Sequence, residues 1–280
     1  MTAHAAGTPG KAFDVLTALC GRPHGATAAE IVADVGYPFS TVYRLLGVLV
    51  TSGFAEFDQD QKRYRPGLRI YQLGQQVAHA RGFTDVSGSV LQRLTARTDE
   101  SSLLAVLDGD RFLTVGKVDG PQFRTTTDPG DRGLLHTSAL GKALLAFADP
   151  DTRTRLLDDL ELTPRTPRSI TDRAALRREI ELTRERGWAG QQEEHDVGMA
   201  AIGVPVRSLG GEVLAAVALA APVFRADVDA LQRWLPQLQA AADELAATLP
   251  RISYRSRPAE RPTDPADGPH APRTAPSSSS

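Results

Sequence analysis

The sequence has 280 residues, 41% hydrophobic and 24% charged, with a formal net charge of −2. That is the composition of an ordinary globular protein, long enough for two domains or for one with a long tail, and it excludes a polycationic nucleic-acid coat protein. Counted along the sequence, Lys/Arg against Asp/Glu is 8 to 6 over residues 1–82, 19 to 25 over 83–250 and 5 to 3 over 251–280, so the N-terminal part is mildly basic and the middle acidic. Cys20 is the single cysteine, which rules out an intrachain disulfide and a cysteine-based zinc site. No apolar run reaches the roughly 18 residues of a bilayer span, and MTAHAAGTPGKAF lacks the apolar centre of a signal peptide. A cytoplasmic protein with no membrane partner is expected.

Residues 1–9 are small and polar and are expected to be disordered. KAFDVLTALC (11–20) predicts a helix with Phe13, Leu16 and Leu19 on one face and Val15 and Cys20 beside it. After a break at 21–25, Thr27 can cap a second helix with Glu30 at the capping-box position, and Gly36 ends it. A third helix starts at Pro38, where Ser40 or Thr41 can satisfy free N–H groups, and Gly53 closes it. FAEFD and KRYRP read as a two-stranded hairpin around residues 59–61. Residues 67–81 form another amphipathic helix. Beyond it come a helix at 89–99, strands around Asp108–Gly109–Asp110, helices at 137–148, 150–160 and 172–187, and a hairpin in 201–222 turning at Gly210–Gly211. A last helix spans 227–249 and is interrupted or bent at Pro236, and the proline- and serine-rich tail 251–280 is expected to be disordered. The domains are therefore a disordered N-terminus (1–9), a first domain (10–66), a linker helix (67–82), a second domain (83–250) and the tail.

Helix, helix, turn, helix, hairpin is the order of a winged helix-turn-helix. Val42, Leu45, Leu46 and Leu49 lie on one side of the third helix, which leaves Ser40, Thr41, Tyr43 and Arg44 on or beside its outward face, near the end that enters a major groove. Arg44 can donate two hydrogen bonds to guanine, and Ser40 and Thr41 can contact base or phosphate. Lys62 and Arg63, with Arg65, would meet phosphate or the minor groove. The same residues also fit a small helical core with solvated surface charges.

STVYRLLGVLVTSGFAEFDQDQKRYRPGLRIYQLG, GKVDGPQFR, LLHTSALGKALLA, TPRT and GWAGQQEEHDVGMAAIGVPV occur in this order over 11–249. Together they resemble the IclR-type bacterial transcription regulators. The resemblance implies an α+β fold, with an N-terminal winged helix-turn-helix, a linker helix and a C-terminal GAF-like antiparallel sheet flanked by helices. It also implies double-stranded operator DNA and a small-molecule effector as partners, assembly as a homodimer or homotetramer, and either repression or activation. A polar residue often precedes the family's serine–threonine pair; here it is Phe39.

The resemblance maps the effector's backbone contacts onto Ala139 and Leu140. In members that bind small oxo-acids, an acid, a cysteine and two serines supply polar side chains, and those positions are Gln191, Ala201, Ala218 and Ala220 here. Three of the four have no hydrogen-bonding group, so a small oxo-acid is not the expected effector and a larger or more apolar one is. EEHD (193–196) reads as a solvated or hinge-side charge run rather than a metal site, and neither cofactor nor metal is expected. There is no G-x-S-x-G elbow or P-loop, and Ser138, His136 and Asp131 make only a chance triad, so the protein is not read as an enzyme. An enzyme on the second domain and a ligand-independent dimeric DNA-binding protein are the other readings. Gel shift with its own upstream DNA, and a metabolite's effect on it, separate the three.

Overall fold

The structure is a computed structural model that describes residues 7–83 and 85–249; the expected disordered tail at 251–280 lies outside the described residues. The described chain separates into two compact units, divided between Asp85 and Val86.

The first unit is built on three short helices. α1 (Thr8–Cys20) starts inside the stretch expected to be disordered, with a proline in its first turn where a missing N–H costs nothing. α2 (Ala28–Val35) is held by local chemistry: Thr27 Oγ1 accepts from the Glu30 N–H, Glu30 Oε2 accepts from the Thr27 N–H at 2.7 Å, and Gly36 ends the helix at φ +70°. α3 (Phe39–Thr51) begins at Pro38 with no side-chain cap, so neither Ser40 nor Thr41 plays the capping part expected of it. Val15, Leu19, Ile31, Val42, Leu45, Leu46 and Leu49 are buried together with Tyr64. Phe13, expected on the buried face, is 69% exposed; the buried stripe of α1 is Val15 and Leu19, four residues apart.

β1 (Ala55–Asp58) and β2 (Arg63–Pro66) pair antiparallel, and Ala26 joins β2 by an isolated bridge to Tyr64. Gly25 makes that bridge possible: φ is +76° and a Cβ there would stand 2.6 Å from the Tyr64 carbonyl oxygen. α4 (Leu68–Ala80) follows and buries none of its residues.

In the second unit, α5 (Asp85–Thr98), β3 (Ser101–Asp108), β4 (Arg111–Val118), β5 (Arg132–Leu134), α6 (Ala139–Phe147), α7 (Pro150–Asp159), α8 (Arg173–Arg186), β6 (Ala189–Gln192), β7 (Met199–Arg207) and β8 (Val213–Pro222) lead to α9 (Val228–Leu231), a short 3-10 turn and α10 (Leu235–Thr248). The break in the last helix falls at Gln232–Trp234, and Pro236 sits in the first turn of α10, where proline is tolerated. The sheet is antiparallel throughout, in the order β5-β4-β3-β8-β7-β6. Edge strands β5 and β6 were not expected from the sequence.

The two sheet faces are sorted by parity. Leu103, Ala105, Ala216 and Ala218 pack with Leu140, Leu144, Leu156, Leu176 and Ile180 of α6, α7 and α8. On the other side Leu104, Ile202, Val204, Val217 and Leu219 are buried, as are Leu91 of α5 and Leu238 and Leu245 of α10. Such burial stabilises by about 25 cal/mol per Å² of apolar surface removed from water.

Candidate functional site

On α3, burial of Val42, Leu45, Leu46 and Leu49 turns the remaining arc outward. Ser40, Tyr43 and Arg44 are exposed and Thr41 is half-buried. Phe39 and Tyr43 stack at 6.1 Å between ring centroids, both more than half exposed. Arg44 has no hydrogen bond or ion pair among the described residues. A cation held by nothing, on the exposed arc near the start of such a helix, is free to meet nucleic acid.

The hairpin divides its basic residues. Lys62 stands exposed in the turn at φ +55°. Arg63 is tied down, donating to the Gly25 carbonyl at 2.9 Å and pairing with Glu30 at 3.1 Å. Arg65 donates to Gln61 at 2.8 Å and pairs with Asp58 at 3.4 Å. Lys62 is therefore the hairpin cation left open, while Arg63 braces the hairpin against the α2 cap.

In the second unit Ala139, Leu140, Gln191, Ala201, Ala218 and Ala220 all line one cavity. The strand register explains why. Gln191 opposes Ala201, Ala201 opposes Ala220, and Gly203 opposes Ala218, which itself opposes Leu103, so these residues share one sheet face in adjacent rows. Methyl groups leave that floor low. α6 comes close above it where Gly203 of β7 meets its first turn: a Cβ at Gly203 would stand 3.0 Å from the Ala139 carbonyl oxygen. The space left is about 530 Å³, its opening included, with Leu103, Phe112 and Met199 completing an apolar lining. Among the described residues, no Lys or Arg lines it.

At one wall, Ser138 caps α6 by accepting from the Gly141 N–H at 2.9 Å. The Ala139 and Leu140 N–H groups belong to that first turn and have no partner inside the helix. Both residues line the cavity, so the positive end of the α6 dipole lies at its wall.

The family model for the IclR helix-turn-helix domain matches residues 8–59, and that for the bacterial transcriptional regulator IclR C-terminal domain matches 75–247. The transcriptional regulator BhcR of Paracoccus denitrificans is 33% identical over 216 residues, covering 77% of this chain and 77% of BhcR. The crystal structure of the Thermotoga maritima IclR aligns with a TM-score of 0.71 at 29% identity, covering 86% of this chain and 97% of that one. An IclR homologue from Microbacterium hydrocarbonoxydans, solved with 4-hydroxybenzoate, aligns with a TM-score of 0.77 at 25% identity over 87% and 99%.

This chain belongs to the IclR family of transcriptional regulators. It is a DNA-binding regulator whose C-terminal domain binds a small-molecule effector. The fold is the one the resemblance implied, down to the antiparallel sheet with helices on both faces.

In this IclR regulator the EEHD segment departs from what the sequence predicted. It is not a solvated run but a half-buried knot of ion pairs: Glu193 with Arg168 at 3.0 Å, Glu194 with Lys142 at 2.8 Å, and Asp196 with Arg165 at 3.0 Å. His195 and Asp196 line the cavity, as do Thr125, Thr126 and Thr127 of the loop after β4. Sequence reasoning missed these because the partners lie far along the chain and a loop carries no periodicity. Burial pushes the His195 imidazole down to about 4, Arg165 adds to the shift and Asp196 opposes it. The chance triad is not assembled: His136 Nε2 faces the Thr163 carbonyl oxygen at 3.1 Å, Ser138 serves α6, and Asp131 accepts from the Asp128 N–H. No described helix is long and apolar enough to cross a membrane.

Proposed function

We propose that the alanine-floored cavity is the effector site and that its ligand has an apolar body and a single polar head, unlike a small oxo-acid. The observation that carries this reading is the convergence of Ala139, Leu140, Gln191, Ala201, Ala218 and Ala220 on one apolar space. Glyoxylate or pyruvate would leave most of that space empty and its own oxygens short of donors, and each unsatisfied polar group costs about 1–3 kcal/mol. Gln191 offers a single amide, whose Nε2 donates to the Met199 carbonyl oxygen at 3.5 Å while its Oε1 accepts from the Glu194 N–H at 3.0 Å. The 4-hydroxybenzoate held by the Microbacterium homologue is a ligand of the favoured kind.

Filling the floor tests the site. Ala220→Leu adds apolar volume without charge and is expected to abolish the effector's influence on operator binding while gel-shift affinity for the protein's own upstream DNA stays at wild type. An effector response that survives Ala220→Leu would move the site elsewhere. Calorimetry with glyoxylate and pyruvate is expected to show no binding, and tight binding of either would overturn the reading of the cavity's polarity.

The DNA contacts follow from the α3 face. Arg44 reads a base edge in the major groove, Ser40, Thr41 and Tyr43 flank it, and Lys62 meets phosphate, with Arg63 supporting the hairpin. Arg44→Ala is expected to weaken specific binding by about 1–3 kcal/mol with circular dichroism unchanged. Undiminished affinity would remove Arg44 from the interface.

The regulator acts as a homodimer or a larger assembly in the cytoplasm, since one winged helix covers only a half-site and specificity needs two. α4 offers a self-complementary surface: Leu68, Tyr71, Leu73 and Val77 are between 42% and 71% exposed, with Ile70 half-buried beside them. Light scattering at micromolar concentration is expected to give twice the chain mass or more, and Tyr71→Glu with Val77→Glu to lower it. A wild-type monomer, unchanged on adding operator DNA, would rule the assembly out.

A further inference from the structure

The second polar feature of the cavity wall is His195. Its Nδ1 lies 2.8 Å from Thr137 Oγ1, and its ring packs 6.1 Å from that of Phe112, another lining residue. Thr137 is fully buried, and its hydroxyl has no other partner among the described residues. A buried hydroxyl hydrogen needs an acceptor. If Nδ1 carried the ring proton, the Thr137 hydrogen would face nothing. The network is satisfied only when Thr137 donates and Nδ1 accepts, which places the ring proton on Nε2.

Nε2 has no protein partner among the described residues, whereas the neighbouring polar groups are committed. Asp196 accepts from Arg165 and from Thr126, each at 3.0 Å, Gln191 accepts from the Glu194 N–H, and Ser138 caps α6. Thr137 directly precedes the N-cap Ser138, so its hydrogen bond seats the imidazole beside the turn whose Ala139 and Leu140 N–H groups are open. A neutral ring at physiological pH, which burial enforces, leaves Nε2–H a donor and not a cation.

We propose that His195 is the specificity-determining residue of the cavity: its Nε2–H acts with the Ala139 and Leu140 amides to select an effector whose polar head is a pure hydrogen-bond acceptor, a carboxylate or carbonyl oxygen, on an apolar body. This rests on the cavity being the effector site. Thr137 is the positioning residue, since it fixes the tautomer without touching the ligand. A cationic or donor-only head would leave all three N–H groups unpaired, and the Asp196 carboxylate at the same wall is already taken up by Arg165 and Thr126.

Two measurements on the full chain test this. Imidazole nitrogen NMR of the histidine-labelled protein is expected to show the Nε2–H tautomer for the signal missing in His195→Ala, and Thr137→Val is expected to shift that signal toward a mixture. An Nδ1–H tautomer in the wild type, or no response to Thr137→Val, overturns the assignment. Calorimetry with three probes of one body, benzoate, acetophenone and benzylammonium, reads the selection. Benzoate or acetophenone is expected to bind and benzylammonium not, and whichever of the first two binds separates a carboxylate head from a carbonyl. His195→Ala is expected to weaken that probe about 5–10-fold, the equivalent of one lost hydrogen bond, with His195→Gln recovering most of it through its amide N–H. No binding of benzoate and acetophenone, indifference to head group, or equal affinity in His195→Ala overturns the proposal while leaving the cavity reading intact. Probe binding that survives Ala220→Leu overturns both.

Discussion

Lys142→Ala is expected to destabilise the C-terminal unit by about 3–5 kcal/mol, the cost of breaking a buried ion pair from one side. α6 is otherwise an apolar helix, ALGKALLAF, and its lysine is 1% exposed. The ammonium donates to both Glu194 oxygens, at 2.8 and 3.0 Å, and lies 3.6 Å from Glu179. Burial holds the Glu194 carboxyl above the usual range even with Lys142 beside it. Without Lys142, Glu194 and Glu179 would face each other with no cation between them, although Glu179 keeps Arg186 at 2.9 Å.

The size of the effect depends on burial, not on the pair as such. Arg184–Glu181, at 3.0 Å with both side chains at least 40% exposed, should be worth about 0.5 kcal/mol or less. Denaturant unfolding of Lys142→Met, Glu194→Gln and the double variant separates the terms. Lys142→Met alone should cost nearly as much as Lys142→Ala, and the double variant should recover most of it, because replacing both members removes the desolvation that the pair was offsetting. A loss below about 1 kcal/mol in Lys142→Met would mean water reaches the pair and the burial argument does not hold.

How much of this was legible in the sequence follows from the range of each interaction. The α2 capping box lies within four residues, so Thr27 and Glu30 announced it. The β7–β8 hairpin was legible from Gly210–Gly211 between two apolar runs, and Gly211 takes φ +86° as such a turn requires. β5 and β6 were not, because three or four residues such as RGL and AGQQ carry no alternation, and their strand character comes from the partners they pair with. Phe13 shows how spacing misleads in a short helix: positions 13, 16 and 19 and positions 15 and 19 both fit a helical stripe, and only the neighbouring helices decide between them.

The cavity divides in the same way. Its alanine floor was legible position by position through the family resemblance, but that Ala201 faces Ala220 depends on a register that no local pattern states. The ionic wall was not legible. EEHD looks like a polar surface loop until Lys142, Arg165, Arg168 and Thr137, each at least 25 residues away in sequence, are folded against it. Likewise Arg63 and Lys62 read as equivalent basic residues in a hairpin, and only the long-range pairing with Glu30 assigns one to structure and leaves the other free.

Acidification from pH 6.5 to 4 is expected to remove up to about 3 kcal/mol of stability from the C-terminal unit through His195. Its imidazole is lowered from the ordinary 6.5 to about 4, first by burial and then by the Arg165 charge, with Asp196 opposing and a small further push from His136. In the unfolded chain the ring takes a proton near 6.5, whereas in the folded chain it resists until near 4. The stabilisation is therefore complete above 6.5, falls through the window and is gone below 4. His136, also lowered by burial, acts in the same direction. Glu194 acts in the opposite one: burial holds its carboxyl above the ordinary 4.5, so protonation on acidification relieves a buried charge and offsets part of the loss above pH 4.5. Asp34, Asp149 and Asp196 are held below 3.8 and Glu30 below 4.5, so their losses fall mostly under pH 4. His195→Gln keeps a neutral donor and cannot titrate. Its unfolding free energy should therefore change less than that of the wild type between pH 6.5 and 4, and the two should follow one another below 4. Parallel acid limbs across the whole window would show that His195 is solvated in the folded chain.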